Sequence, residues 1–133
     1  MSAPVAHPFE GGRYKQACFG CKLGGVHTDV VLTPFKDRVF VLITQRQKIG
    51  LLLEATKESD VTEMGEPVYH IATKLGNAGE GGATELLARR LIDSIAKANK
   101  SLLLGVAWLS AEKEPSLPEL KALLALIEQK KVW

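Results

Sequence analysis

The sequence predicts an α+β domain: a mainly antiparallel sheet of about six strands, in the order β-β-β-β-β-α-β-α, with two helices on one face. Three observations predict it. From Tyr14 to Leu75 the chain breaks into short runs of β-branched, aromatic and aliphatic residues separated by turn chemistry. After Gly76 the apolar spacing lengthens to the helical period. The connections among the early runs are too short for crossovers, which predicts antiparallel neighbours.

The first run is about Lys15 to Lys22, closed by Gly24 and Gly25. The second is about His27 to Pro34, and the third, Arg38 to Gln45, leads through a tight Arg46 to Lys48 connection into the fourth, Ile49 to Thr56. Lys57 to Glu66 is polar and predicts a loop, after which Pro67 opens a fifth run through Leu75. In that run Tyr69, Ile71 and Leu75 alternate with His70 and Lys74, the pattern of an edge strand wetted on one side. Gly76 to Gly82 is a glycine-rich connection. Beyond it Leu87, Leu91 and Ile95 recur every fourth position, widened by Ala88 and Ile92, with Arg89, Arg90, Asp93 and Lys97 opposite. This amphipathic helix should end near Asn99, a residue that tolerates the left-handed conformation. Ser101 to Ser110 predicts the sixth strand. Ser116, Leu117, Pro118 and Glu119 spell a capping box for a last helix, which buries Leu120, Leu123, Leu124 and Ile127.

A chain of 133 residues, 46% hydrophobic and 24% charged, is sized and composed for one folded domain. Residues 1–14 read as a flexible N-terminal segment and 15–133 as the domain. Seventeen basic and fifteen acidic residues are interspersed, so no basic stripe exists to neutralise nucleic-acid phosphates. Lys130 and Lys131 suit the negative end of a helix. Apolar runs such as Val39 to Ile43 fall far short of a membrane span. Met1 to Gly12, with Pro4 and Pro8, lacks the charged start and apolar core of a signal peptide. Two cysteines give no disulfide framework, and a reducing cytosolic setting is expected.

The third and sixth strands do not alternate. Val39, Val41 and Ile43 oppose Phe40 and Leu42, while Leu102, Leu104, Val106 and Trp108 oppose Leu103, Gly105, Ala107 and Leu109. Both faces want cover, and two helices can cover one. Small Gly105 and Ala107 suggest the side on which a helix approaches. The face left over calls either for a partner, through dimerisation of the sheet, or for the N-terminal segment or long loops to fold across it.

No residue set composes an active site. Cys18 and Cys21 form a C-x-x-C pair, but in a strand-like run residues three apart point to opposite faces, and His7, His27 and His70 supply no local ligand pair. Gly76 to Gly82 contains no lysine and matches neither phosphate-binding glycine motif.

Three segments carry a family resemblance: Val39 to Gly50, V-F-V-L-I-T-Q-R-Q-K-I-G; Leu102 to Ala107, L-L-L-G-V-A; and Leu120 to Trp133, a helix opening on L-K-A-L and followed by V-W. In this order and spacing, over roughly residues 15 to 133, the chain resembles the proteasome assembly chaperone 3 family. The resemblance implies a non-catalytic, cytosolic chaperone without cofactor or metal, nuclear residence being left open. It implies a homodimer or a heterodimer with sister chaperone 4, and partners among the α-type subunits of the proteasome core-particle ring. Thr44, Gln45, Lys48 and Gly50 match the family's loop. With Val39, Val41, Leu104, Val106 and Trp108 of the two central strands, they form the expected partner-binding set. A generic α+β adaptor dimer and a C-x-x-C thiol or zinc protein are the competing readings.

Overall fold

The computed structural model describes residues 16–47, 49–61, 67–76, 82–109 and 115–133. Six strands form one sheet: β1 (Ala17–Leu23), β2 (Val26–Pro34), β3 (Arg38–Thr44), β4 (Leu51–Val61), β5 (Pro67–Leu75) and β6 (Ser101–Ala107). Helices α1 (Ala83–Ile95) and α2 (Leu117–Gln129) flank β6 in the chain. The α+β class and the strand–helix order follow the sequence.

Local chemistry explains most boundaries. Gly24 and Gly25 both adopt positive φ, +58° and +81°, as a two-residue hairpin turn between β1 and β2 requires. Helix α1 passes into a 3-10 turn over Ala96–Ala98 and stops at Asn99, which is left-handed at φ 58°. Helix α2 starts on the expected capping box: Glu119 Oε1 accepts from the Ser116 amide at 3.1 Å and from its hydroxyl at 2.9 Å. The ends also hold surprises. The fourth strand continues past Thr56 to Val61, which pairs with Pro67, so 57–61 is strand and 62–66 alone lies outside the described residues. The sixth strand ends at Ala107.

The sheet order is β1-β2-β3-β6-β4-β5. Four of the five neighbour pairs are antiparallel, β3 with β6 being parallel. The short link between β3 and β4 therefore does not make them neighbours, because β6 inserts between them. The link from Gln45 to Gly50 steps over its end, where the Gln45 amide donates to the Ala107 carbonyl at 2.8 Å and the Gly50 amide to the Val106 carbonyl at 3.1 Å. The edge position of β5 is as the alternation predicts. A bulge slips its register between Thr73 and Leu75, so Leu75 turns to the side of Leu52, away from Ile71 and Tyr69.

One core fills the space between sheet and helices. Val39, Val41, Ile43, Leu102, Leu104 and Val106 from the two central strands meet Leu87, Leu91, Ile95, Leu120, Leu123 and Ile127. Burying each such side chain contributes about 1.5–3 kcal/mol. The helices run in the same direction, Leu86 lying beside the start of α2 and the Ser94 hydroxyl donating to Glu128 near its end at 3.1 Å. Trp133 adds a tie by donating from its indole to Ser94 Oγ at 3.2 Å. Residues 1–15, 48, 77–81 and 110–114 lie outside the described set, and with them the expected flexible segment and most of the glycine-rich connection.

Candidate partner-binding face

The sheet face opposite the helices is built by the other parity of each strand. Register places Thr33, Phe40, Leu103, Glu54 and Ala72 in one row across five strands. The next row holds Cys18, Val31, Leu42, Gly105, Leu52 and Leu75. Phe40, Leu42, Leu103, Val31 and Leu52 are half-buried, Leu75 is 56% exposed, and among the described residues no helix or strand lies over them. Ile49, itself 39% exposed, leans in beside Gly105. The side of small residues is thus the open side, not the helix side: a Cβ on Gly105 would lie 3.2 Å from Leu42 Cδ1 and 3.5 Å from Ile49 Cγ1. The large alternate set, Leu102, Leu104 and Val106, faces the helices instead.

Polar and charged groups frame the apolar strip. Glu54 lies 3.7 Å from Arg38 and 3.8 Å from Lys74 on one flank. On the other, His27 and Asp29 meet at 2.8 Å. Exposed pairs of this kind contribute little stability, but they fix which way a docking surface can sit.

The expected partner-binding residues divide by location. Val39, Val41, Leu104 and Val106 are sealed in the protomer's own core, so a partner cannot touch them while the domain is folded. Trp108 is half-buried on the helix side, its indole donating to Thr84 Oγ1 at 3.1 Å. Thr44 and Gln45 build the link over β6. Thr44 Oγ1 accepts from the Arg46 amide at 3.1 Å, and Gln45 donates to Thr28 Oγ1 at 3.2 Å while accepting from the Leu109 amide at 2.8 Å. Gly50 is exposed at the far end of the link, and Lys48 lies outside the described residues. The residues that do reach the open face, Phe40, Leu42, Leu103, Val31 and Leu52, belong to the alternate parity. The period of two separates the sets; Glu54 marks the wet one, once register places it beside Leu103.

Cys18 is exposed on the open side and Cys21 half-buried on the helix side, so the pair cannot close a local disulfide. Burial, with the Asp29 carboxylate adding to it, pushes the Cys21 thiol above its ordinary range, the opposite of what thiol exchange needs. Among the described residues no three His, Cys, Asp or Glu side chains gather as a metal site. No described helix is long and apolar enough to cross a membrane.

Comparison with known proteins adds what geometry cannot. The sequence model of the family described as Proteasome assembly chaperone 3 matches residues 41–130. The Homo sapiens protein named Proteasome assembly chaperone 3 is 31% identical over 111 residues, covering 82% of this chain and 86% of its own length. Its Bos taurus counterpart is 30% identical over the same span. A chain from the solved structure titled "Crystal Structure of a Novel Chaperone Complex for Yeast 20S Proteasome Assembly" superposes with a TM-score of 0.61 at 16% identity, over 86% of this chain and 97% of that one, a likeness of fold. On the extent of these matches, the chain belongs to the proteasome assembly chaperone 3 family.

Proposed function

We propose that the chain is a non-catalytic chaperone of the cytosol that dimerises through its open sheet face, with a second copy or with sister chaperone 4, and helps α-type subunits assemble into the proteasome core-particle ring. The family match over residues 41–130 carries this reading. The uncovered face supports it physically. Five half-buried aliphatic and aromatic side chains in two adjacent rows make a contiguous apolar patch of the kind monomers seldom leave to water. As a dimer the chaperone would hold an α-subunit surface out of reach of wrong neighbours, and selectivity would come from differences in affinity between correct and incorrect pairings.

The test is affinity capture of purified proteasome α-subunits on the immobilised chain, alone and mixed with sister chaperone 4. Retention of one or more α-subunits is expected. Retention of none in either arm would sink the proposal, and capture of an unrelated partner set would favour the generic adaptor.

A further inference from the structure

The link from Gln45 to Gly50 is tied at both ends and touches the open face between them. At its start, the Gln45 side chain donates to Thr28 Oγ1 at 3.2 Å and accepts from the Leu109 amide at 2.8 Å. At its end, the Gly50 amide donates to the Val106 carbonyl at 3.1 Å, and Gly76 passes so close that a Cβ there would lie 2.6 Å from the Gly50 carbonyl oxygen. Between the ties, Gln47 is left-handed at φ 57° although it carries a side chain. Such a conformation is unfavourable and persists only where its surroundings hold it, and it gathers at sites that bind or switch.

Ile49 is the one aliphatic residue of the link, and it lies on the open face. Its Cγ1 and Cγ2 atoms would each be 3.5 Å from a Cβ on Gly105, an ordinary van der Waals distance, and Leu42 Cδ1 closes the same space at 3.2 Å. The bare backbone of Gly105 is therefore the seat for Ile49, and a branched residue at 105 would fill it. The seat is closed on one side alone. Ile49 is still 39% exposed, beside the row that holds Val31, Leu42, Leu52 and Leu75. A partner that covers this row covers Ile49 as well.

One aliphatic side chain is thus shared by a docking face and a strained link. We infer that Ile49 couples the two: an apolar sheet face seated on the open face closes over Ile49, pins it to Gly105, and so holds Gln47 and its neighbours in a single conformation. This inference rests on the proposed dimerisation through the open face. It adds a consequence that dimerisation alone does not have. The exposed Arg46 and Gln47 are held more firmly in the dimer than in the protomer, so a ligand of the link binds the dimer more tightly and, by reciprocity, strengthens it.

The experiment titrates the full chain against itself and against sister chaperone 4, with mass read by light scattering and amide hydrogen exchange by NMR. Above the association midpoint, exchange at Gln47 and Ile49 should slow on the order of tenfold relative to the protomer. Ile49→Ser, at an exposed position, should melt within a few degrees of the wild type. It should raise the dissociation constant on the order of tenfold, and lose the protection even where its own dimer is populated. Ile49→Leu should restore both. Phe40→Lys tests the dimer by itself: wild-type mass for this variant in both arms, or no association of the wild type in either, would remove the open-face dimer and the coupling with it. Where Phe40→Lys does dissociate the dimer, the coupling alone is overturned by either of two results. One is link exchange that is equal on both sides of the midpoint; the other is an Ile49→Ser variant that associates and is protected as the wild type is.

Discussion

Gln45, expected from the sequence as a partner-binding residue, has a structural role within its own fold. Its side chain spans three segments, donating to Thr28 on β2 and accepting from the Leu109 amide just past β6, while its own amide caps the Ala107 carbonyl. Thr28 is fully buried and its hydroxyl already donates to the Val26 carbonyl, so the amide of Gln45 is the donor that suits its remaining lone pairs. Gln45→Ala should therefore cost about 1–3 kcal/mol, the range for leaving buried polar partners unmet. Gln45→Glu should fall between, keeping the acceptor for Leu109 but facing the Thr28 oxygen with another oxygen. The urea midpoint of each variant measures this, and equal midpoints for wild type and Gln45→Ala would contradict the role. Sequence shows Thr44-Gln45 as a polar pair after an apolar strand, and nothing more. The partners lie 17 and 64 residues away and become neighbours only through the topology.

Elements were legible where their signals are local. The capping box is written in four consecutive residues, and the α1 stripe in a single period, so both appear where the sequence puts them. Ser116→Ala tests the first. It removes the hydroxyl that accepts from the Glu119 amide and binds its carboxylate, and should cost about 1 kcal/mol, a typical value for a lost N-cap. Because α2 places Leu120, Leu123 and Ile127 in the core, the loss should appear as an earlier global melt by calorimetry. A variant that melts with the wild type would show the box to be idle. The insertion of β6 between β3 and β4 was not legible, and the reason is physical. A short link predicts a hairpin only if no later strand competes for the same edge. Here β5, α1 and β6 form a crossover that brings β6 parallel to β3, and seven register pairs formed with β3 plus five with β4 replace the hairpin. That outcome depends on segments about fifty to sixty residues apart, beyond the reach of local turn chemistry.

At the scale of the whole molecule, the doubly apolar central strands announce that one sheet face needs more than the chain's two helices. They do not announce which face. Both parities of β3 and β6 are rich in large side chains, and the choice is made by β4 and β5, where Leu53, Ala55 and Ile71 line the helix side while Glu54 and Lys74 fall on the other. The structure consequently separates two substitutions one residue apart. Val41→Asp places an unpaired carboxylate in the sealed core, and a penalty of several kcal/mol consumes much of the 5–15 kcal/mol that stabilises a domain. Cooperative unfolding should be lost. Phe40→Lys changes a half-buried side chain of the open face, whose long stem can lie along the strip with its ammonium in water. It should melt cooperatively within a few degrees of wild type yet lose mass in light scattering, alone or with sister chaperone 4, because each facing surface would have to bury the new charge. If Phe40→Lys kept the wild-type mass under both conditions, the open face would not be the dimer interface. If Val41→Asp stayed folded, the assignment of the two faces would itself be reversed.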